Sequence, residues 1–295
     1  MPAVKKLVLL AGCATLSITS SCNKDGVIVA DDPADKTACS RVYEYLPAPG
    51  QFINEQVVLR TMDEACAWAE KQLAAPDAGV SLGGFGGYIV VGFDRPVICT
   101  GGYDFAVEGN AFATSSEPGI VWVMEDTNGN GAPDDAWYEL RGSEYGKPET
   151  LQEYAVTYYR PAEKGAGVAW TDNFGRSGTL ERLNFHTQDS YYPAWVGADS
   201  YTLRGTRLEA RNYSDGTKWI APPYEWGYAD NFSTADRPAE SNANMFRIAD
   251  AVQSDGEPAG LASIDFVKIQ TGVHAQSGEL GEISTEVFAV RDLNR

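Results

Sequence analysis

The sequence predicts a mainly β protein: an antiparallel β-sandwich, jelly-roll-like, with one short helix and a long loop-rich insertion. Three observations carry this expectation. Short runs rich in Val, Ile, Tyr, Phe and Trp recur along the chain between Gly, Pro and Asn turns, the pattern of strands paired antiparallel in two layers. One stretch alone has helical periodicity, so the strand–helix alternation that builds a parallel sheet is missing. No repeat with a period of about 20–50 residues is present, which disfavours a propeller. A hydrophobic share of 43% and 30 glycines among 295 residues suit a folded β-rich domain rather than a disordered chain.

Taken in order, residues 1–21 read as a lipoprotein signal peptide. Lys5 and Lys6 precede the apolar run from Leu7 to Ile18, small residues Thr19-Ser20-Ser21 follow, and then comes Cys22. The run is too short to span a bilayer as a mature helix, and no later apolar stretch is long enough to do so. Cys22 is the expected acylation site, preferred over Leu10-Ala11-Gly12-Cys13, which would leave only Leu7 to Leu10 as an apolar core. Residues 22–40 form the acylated cysteine and a polar tether, and 41–295 form a single β-sandwich domain. The domain begins with an extended, proline-punctuated stretch from Val42 to Asn54. The helix is expected over 62–74: Thr61 and Glu64 make a capping box, Ala65, Trp68, Ala69 and Leu73 make the apolar stripe, and Pro76 lies beyond its end.

Strands are expected at 88–93, 103–108, 120–124, 137–140, 154–159, 201–203 with 207–210, 246–248, 264–270 and 287–290, with 160–245 as the loop-rich, aromatic insertion. Between two of these strands lies Asp126-Thr127-Asn128-Gly129-Asn130-Gly131-Ala132-Pro133-Asp134-Asp135. Oxygen side chains at alternate positions face one way, and a glycine permits a sharp turn, which is how a chain wraps a hard cation. The expected ligands of a structural Ca²⁺ are Asp126, Asn128, Asn130, the Ala132 carbonyl, Asp134 and Asp135. Trp137 stands where an EF-hand has its bidentate Glu, so Asp135 or Glu139 would have to substitute. The alternative is an Asn/Gly hairpin turn with no metal.

The formal charge of −18 repels phosphate backbones and excludes nucleic acid as a favoured partner. Cys39, Cys66 and Cys99 remain in the mature chain, an odd number that allows one disulfide and requires none. His186 and His274 have no metal-ligand spacing, and neither H-E-x-x-H nor G-x-S-x-G occurs, so histidine-based nucleophilic catalysis is disfavoured. Paired carboxylates are available in number, with Asp104, Glu108 and Glu125 nearest the distinctive segments. Glu108 and Asn110 read more simply as supports of the calcium region or as turn caps.

The insertion is the better functional clue. Trp170, Tyr192, Trp195, Trp219, Tyr224, Trp226 and Tyr228 are interleaved with Asp and Asn residues, the combination that meets a sugar's C–H face and its hydroxyls. A corrinoid would use the same groups. The competing reading makes these rings a minor core under long loops.

The glycine-rich stretch Leu82-Gly83-Gly84-Phe85-Gly86-Gly87 and the segment from Asp104 to Phe112 fit L-G-G-x-G-G and D-F-x-V-x-G-N-x-F. With the Trp122–Gly131 stretch and the closing segments 264–271 and 281–287, they resemble a group of Bacteroidota-type cell-surface lipoproteins. Cys99 stands where that group has Asn in P-x-x-N. The resemblance implies a secreted or surface β-sandwich and no settled ligand. The glycines at 83, 84, 86 and 87 either admit a ligand close to the backbone or form a tight crossing at the sandwich edge.

These readings converge on a lipid-anchored, surface-exposed outer-membrane protein. It is expected to bind an extracellular ligand, carbohydrate first, on a calcium-stabilised sandwich. Corrinoid or other nutrient capture beside a TonB-dependent outer-membrane transporter is one alternative; a carboxylate-based hydrolase or lyase is the other.

Overall fold

The computed structural model describes residues 38–295; the expected signal peptide, acylated Cys22 and tether to residue 37 lie outside the described residues. The chain runs β1 (Arg41–Leu46), α1 (Met62–Ala74), β2 (Val80–Ser81), β3 (Tyr88–Ile98), β4 (Phe105–Glu108), β5 (Gly119–Met124) and β6 (Tyr138–Leu140). It continues through β7 (Leu151–Tyr159), β8 (Val168–Asp172), β9 (Ser177–Leu180), β10 (Ser200–Arg207), β11 (Tyr213–Ser214) and β12 (Trp219–Ile220). The last elements are β13 (Ala243–Phe246), β14 (Ala251–Val252), β15 (Ser263–Thr271), β16 (Glu286–Val287) and β17 (Ala289–Asp292). All pairings between these strands are antiparallel, as expected for a β-sandwich with one helix.

The central sheet has six strands in the order β1-β3-β15-β5-β6-β14. β15 lies between β3 and β5, so Val267 faces Val91 on one side and Val123 on the other. Period-2 alternation decides what each face buries. Val121 and Val123 of β5 join the main core with Val91, Val267 and Ile269, and with Phe105, Val107, Phe246 and Val290 of the three-stranded sheet β13-β4-β17. Ile120 of the same strand joins a separate cluster with Leu208, Tyr224, Tyr228, Val273 and Ile283.

The stretch 160–245, expected to be loop-rich, carries three of the four strands of a further sheet, β10-β7-β8-β9. Its core is Tyr154, Val156 and Tyr158 of β7 with Val168, Leu180, Tyr191, Tyr192 and Leu203. β8 is only five residues long and β9 is Ser177-Gly178-Thr179-Leu180, and this hid them from a search for apolar runs. Gln270 ties this sheet to the central one, its Nε2 donating to the carbonyls of Gly86 at 2.8 Å and Arg204 at 2.9 Å.

The helix has the expected bounds. Thr61 Oγ1 accepts from Glu64 N at 3.1 Å, a cap worth about 1 kcal/mol. Glu64 reaches back to Arg60 N at 2.8 Å, one residue earlier than a capping box would place it. Ala65 and Ala69 are fully buried, which lets α1 sit close against β1.

Of the two readings of the glycine stretch, the structure favours the crossing. Gly83 is left-handed (φ 66°), and a Cβ there would lie 2.1 Å from the Ala48 carbonyl oxygen. Ala48 N donates to Leu82 O at 3.0 Å and Gly84 N to Pro49 O at 3.1 Å, so two backbones are in direct contact. Cys39, Cys66 and Cys99 are free thiols, and burial pushes Cys39 and Cys66 up to about 11. No helix among the described residues is long and apolar enough to cross a membrane.

Candidate ligand-binding cleft

A cleft of about 380 Å³ opens where β1, α1, the segments 52–59 and 77–81, the Trp195 loop and β16 meet. Its back wall is aromatic. Tyr45 is buried on β1, with Trp68 of α1 at a ring-centroid distance of 5.9 Å and 29° on one side. Trp195 lies at 5.7 Å and 30° on the other. Tyr45 is held by its hydroxyl, which donates to Ser81 O at 2.7 Å, and by its own carbonyl, which accepts from Trp195 Nε1 at 3.2 Å. Offset aromatic pairs of this kind contribute about 0.5–1.5 kcal/mol each beyond the area they bury.

Asn54 sets the position of the Trp195 loop. It adopts a left-handed backbone (φ 62°), its Nδ2 donates to Ser190 O at 2.9 Å and Tyr192 O at 2.8 Å, and its Oδ1 accepts from Ala194 N at 3.1 Å. The polar rim is different in kind. The side chains of Gln56, Gln72, Asp77 and Asn110 line the cleft and make no hydrogen bond among the described residues. Their donors and acceptors are available to a ligand.

Glu286 also lines the cleft, and behind it lie Glu117 and Asp230. One carboxylate oxygen from each falls within 4.8 Å of the others. Asp230 is fully buried with a left-handed backbone (φ 51°), and its Oδ1 accepts from the N–H groups of Asn110 and Ala111, both at 2.8 Å. Its Oδ2 accepts from Glu286 N at 2.9 Å. Ser284 donates its N–H to Glu117 Oε1 at 3.1 Å and its hydroxyl to Glu286 Oε1 at 3.0 Å. Burial raises all three acids, and the neighbouring carboxylates raise Glu286 and Glu117 further, Glu286 well above the carboxylate range. Burial and the two neighbouring acids thus favour the protonated form of Glu286, with Glu117 as its hydrogen-bond partner. The same oxygen set suits a hard cation.

The 126–135 loop joins β5 to β6 away from this cleft, and its polar groups turn inward as the alternation implied. Asp126 Oδ1 accepts from Gly129 N at 2.9 Å and Asn130 N at 3.1 Å, and Oδ2 from Gly131 N at 2.8 Å. Asn128 Oδ1 accepts from Asn130 N at 3.0 Å, and Asn130 Oδ1 from Ala132 N at 2.8 Å. The amides of Asn128 and Asn130 donate to Asp134 and hold its carboxyl below its usual value. Asp135 accepts from Thr127 Oγ1 at 2.5 Å. Glu139 does not belong to this set: it is buried and accepts from Thr206 Oγ1 at 2.5 Å. Three carboxylates, two amide oxygens and a carbonyl are a donor set that fits Ca²⁺.

The expected aromatic ligand site does not form as one surface. Tyr192, Tyr224 and Tyr228 are buried core residues with about 1–3% of their surface exposed and nothing to offer a ligand. Tyr192 packs edge-on to Tyr201 at 5.1 Å, and Tyr224 contacts Tyr228 at 5.5 Å. Trp170 packs on His274 at 4.4 Å, Trp219 lies against Gly278, and Trp226 lines a different cavity. Of the seven, Trp195 alone reaches the cleft. Tyr192 and Trp170 belong to one core and Tyr224 and Tyr228 to another, so those four rings follow the minor-core reading.

Asp104 is a structural acid, buried and accepting from Thr100 N, Thr100 Oγ1 and Ile248 N. Glu108 lies 3.9 Å from Arg291, and Asn110, expected as a support or cap, lines the cleft. His186 pairs with Glu55 at 2.5 Å and His274 accepts or donates with Tyr154 Oη at 2.8 Å, so both are engaged. Sequence reasoning missed Tyr45 and Trp68 as site residues, because each also reads as core, and missed the three carboxylates, which lie on distant segments. No protein-family model matches the chain, and no curated protein matches it.

Proposed function

We propose that this chain captures an extracellular carbohydrate in the Tyr45–Trp68–Trp195 cleft. The observation that carries this reading is the pairing of stacked rings with Gln56, Gln72, Asp77 and Asn110, whose side chains have no partner of their own. A pyranose presents a C–H face to rings and hydroxyls to amides and carboxylates, and a cleft of about 380 Å³ holds one or two sugar residues. The test is a glycan array followed by calorimetry on the mature protein. Trp68→Ala and Trp195→Ala are each expected to weaken the glycan hit about tenfold or more, about 1.4 kcal/mol, with the fold intact. Full affinity in both variants would sink the reading. Cobalamin, run in parallel, tests the corrinoid alternative: saturable binding with a silent array reverses the ranking.

A second reading rests on Glu286. A carboxyl whose protonated form is favoured by burial and by neighbouring acids suits the role of a general acid, and Asp77 supplies a second carboxylate on the same cleft. Product release from a glycan panel, abolished by Glu286→Gln with binding retained, supports a hydrolase or lyase; a panel left uncut removes it.

The lipid anchor at Cys22, exposure at the outer-membrane surface and assistance to a transporter belong to the same proposal. Cys22→Ala is expected to release the protein from membranes into the soluble fraction; continued membrane association would refute lipidation at that residue. A structural Ca²⁺ in the 126–135 loop completes it. Asp126, Asn128, Asn130, the Ala132 carbonyl, Asp134 and Asp135 would hold the ion, with a dissociation constant of about 10⁻⁴ to 10⁻³ M, as in other extracellular modules.

A further inference from the structure

A cavity of about 310 Å³ lies apart from the cleft, where the segments following β6 and β13 meet the Trp226 loop. Tyr103 and Trp226 give it aromatic surface, Arg141 and Arg247 give it cationic groups, and Asp250 is close to both arginines. Trp226 was singled out in the sequence, and the carbohydrate cleft does not use it.

The two arginines matter here for their place in the cavity lining. Acidic side chains outnumber basic ones 41 to 23, and several arginines take a carboxylate or carbonyl partner. Arg176, Arg211 and Arg295 each pair with a carboxylate at 2.6–2.7 Å. Arg182 donates to two backbone carbonyls. The guanidinium groups of Arg141 and Arg247 make no hydrogen bond and no ion pair among the described residues. Arg247 lies over the Tyr103 ring at 4.6 Å, which fixes its plane and leaves its N–H edge unused. Tyr103 is itself held, its hydroxyl donating to Ala235 O at 3.1 Å.

The carboxylates of the cavity do not fill this gap. Asp236 is turned away into its own network: Oδ2 accepts from Gly227 N at 2.6 Å, and Oδ1 accepts from Ser233 Oγ and from Asn244 Nδ2 at 3.2 Å. Asp250 acts on Arg141 and Arg247 through space and lies beyond ion-pair reach of either. Neither carboxylate takes a guanidinium N–H, so the donors of both arginines remain for the oxygens of a ligand.

We propose that this cavity binds a carboxylate carried on a six-membered ring, with Arg141 and Arg247 gripping the carboxylate and Tyr103 and Trp226 flanking the ring. A guanidinium presents parallel N–H donors that match the two oxygens of a carboxylate. The aromatic walls meet the flat face of the ring. A volume of about 310 Å³ is at the small end of ligand cavities and suits one ring rather than a chain of them. The ring can be a sugar acid or an arene, and the chemistry recognised is the same.

Calorimetry on the mature chain at low salt tests this, with D-glucuronate and benzoate as probes, D-glucose and benzyl alcohol as their neutral counterparts, and inorganic phosphate as a bare anion. At least one carboxylate is expected to bind saturably, and to weaken as salt is added. Arg247→Ala and Arg141→Ala are each expected to weaken that binding about tenfold or more. Arg247 is exposed, so its replacement leaves the fold intact, and a melting curve checks this. Trp68→Ala, which disables the carbohydrate cleft, is expected to leave the arginine-dependent binding in place, so failure here is separable from failure of the cleft. Absence of carboxylate binding, binding that survives both arginine variants, or phosphate binding as tight as either carboxylate would each overturn the proposal.

Discussion

Glu286 shows how much one residue depends on its neighbours. In the sequence it is one of 41 acids, and the closing segment 281–287 that holds it gives it no role. In the fold it meets Glu117 and Asp230 from segments far away in the chain, and no local pattern reports such a meeting. The consequence for stability has a definite sign. Burial and mutual repulsion raise these acids above their unfolded values, so folding favours their protons. Their contribution is fully present below the unfolded carboxylate range and is lost as pH rises through the folded values, about 6 for Asp230 and about 8 for Glu117. Melting temperature should therefore fall between about pH 5 and about pH 8. Glu286→Gln, which removes one ionisable member, should flatten that fall. A variant with the same slope as the parent would show that the cluster does not set it. Trp195 was one of the rings singled out from the aromatic stretch, and it does line the cleft. Tyr45 and Trp68 were not, since a half-buried ring in a site and a ring in a core follow the same periodicity.

Elements were easier to read than sites. The helix bounds came out of Thr61, Pro76 and the stripe between them, all local signals. β3, β5, β7 and β15 were legible because their apolar runs feed shared cores. β8 and β9 were not, because both are short and reach strand geometry through pairing, β8 with β7 and β9 with β8, rather than through propensity. The crossing at Gly83 can be tested against a glycine with the same backbone and no neighbour. Gly83→Ala puts a Cβ 2.1 Å from a carbonyl oxygen; at Gly146, φ is 75° and nothing lies within 4 Å. Gly146→Ala is expected to cost about 1 kcal/mol from backbone strain alone. Gly83→Ala should cost at least about 2 kcal/mol, a drop of about 4 °C or more in melting temperature. Equal costs would mean that the two backbones yield easily. For the 126–135 loop, EDTA should lower the melting temperature of the parent and leave that of Asp126→Ala unchanged. No response to EDTA in the parent would refute a structural cation.

At the scale of the molecule, composition bounded the class well. A charge of −18 argues against phosphate-rich partners, and the strand-rich pattern corresponds to the antiparallel sheets observed. The aromatic content of 160–245 was visible as well, but its meaning was not. Ring counts do not say which rings share a face, and the fold sends them to three cores and two cavities. What the fold adds is a division of labour: the central sheet supplies the frame, and the working groups sit where α1 and the connecting loops reach its margin.

On the proposed reading, the three hydrogen bonds of Asn54 bear on how the cleft would choose a ligand. They join the segment carrying Phe52 and Gln56 to the loop carrying Trp195, so two sides of the opening behave as one jaw cast in a single piece. An aperture of preset width sorts its guests by gauge: a ring that is too thick is refused at the threshold, and one that fits loses little freedom beyond its own.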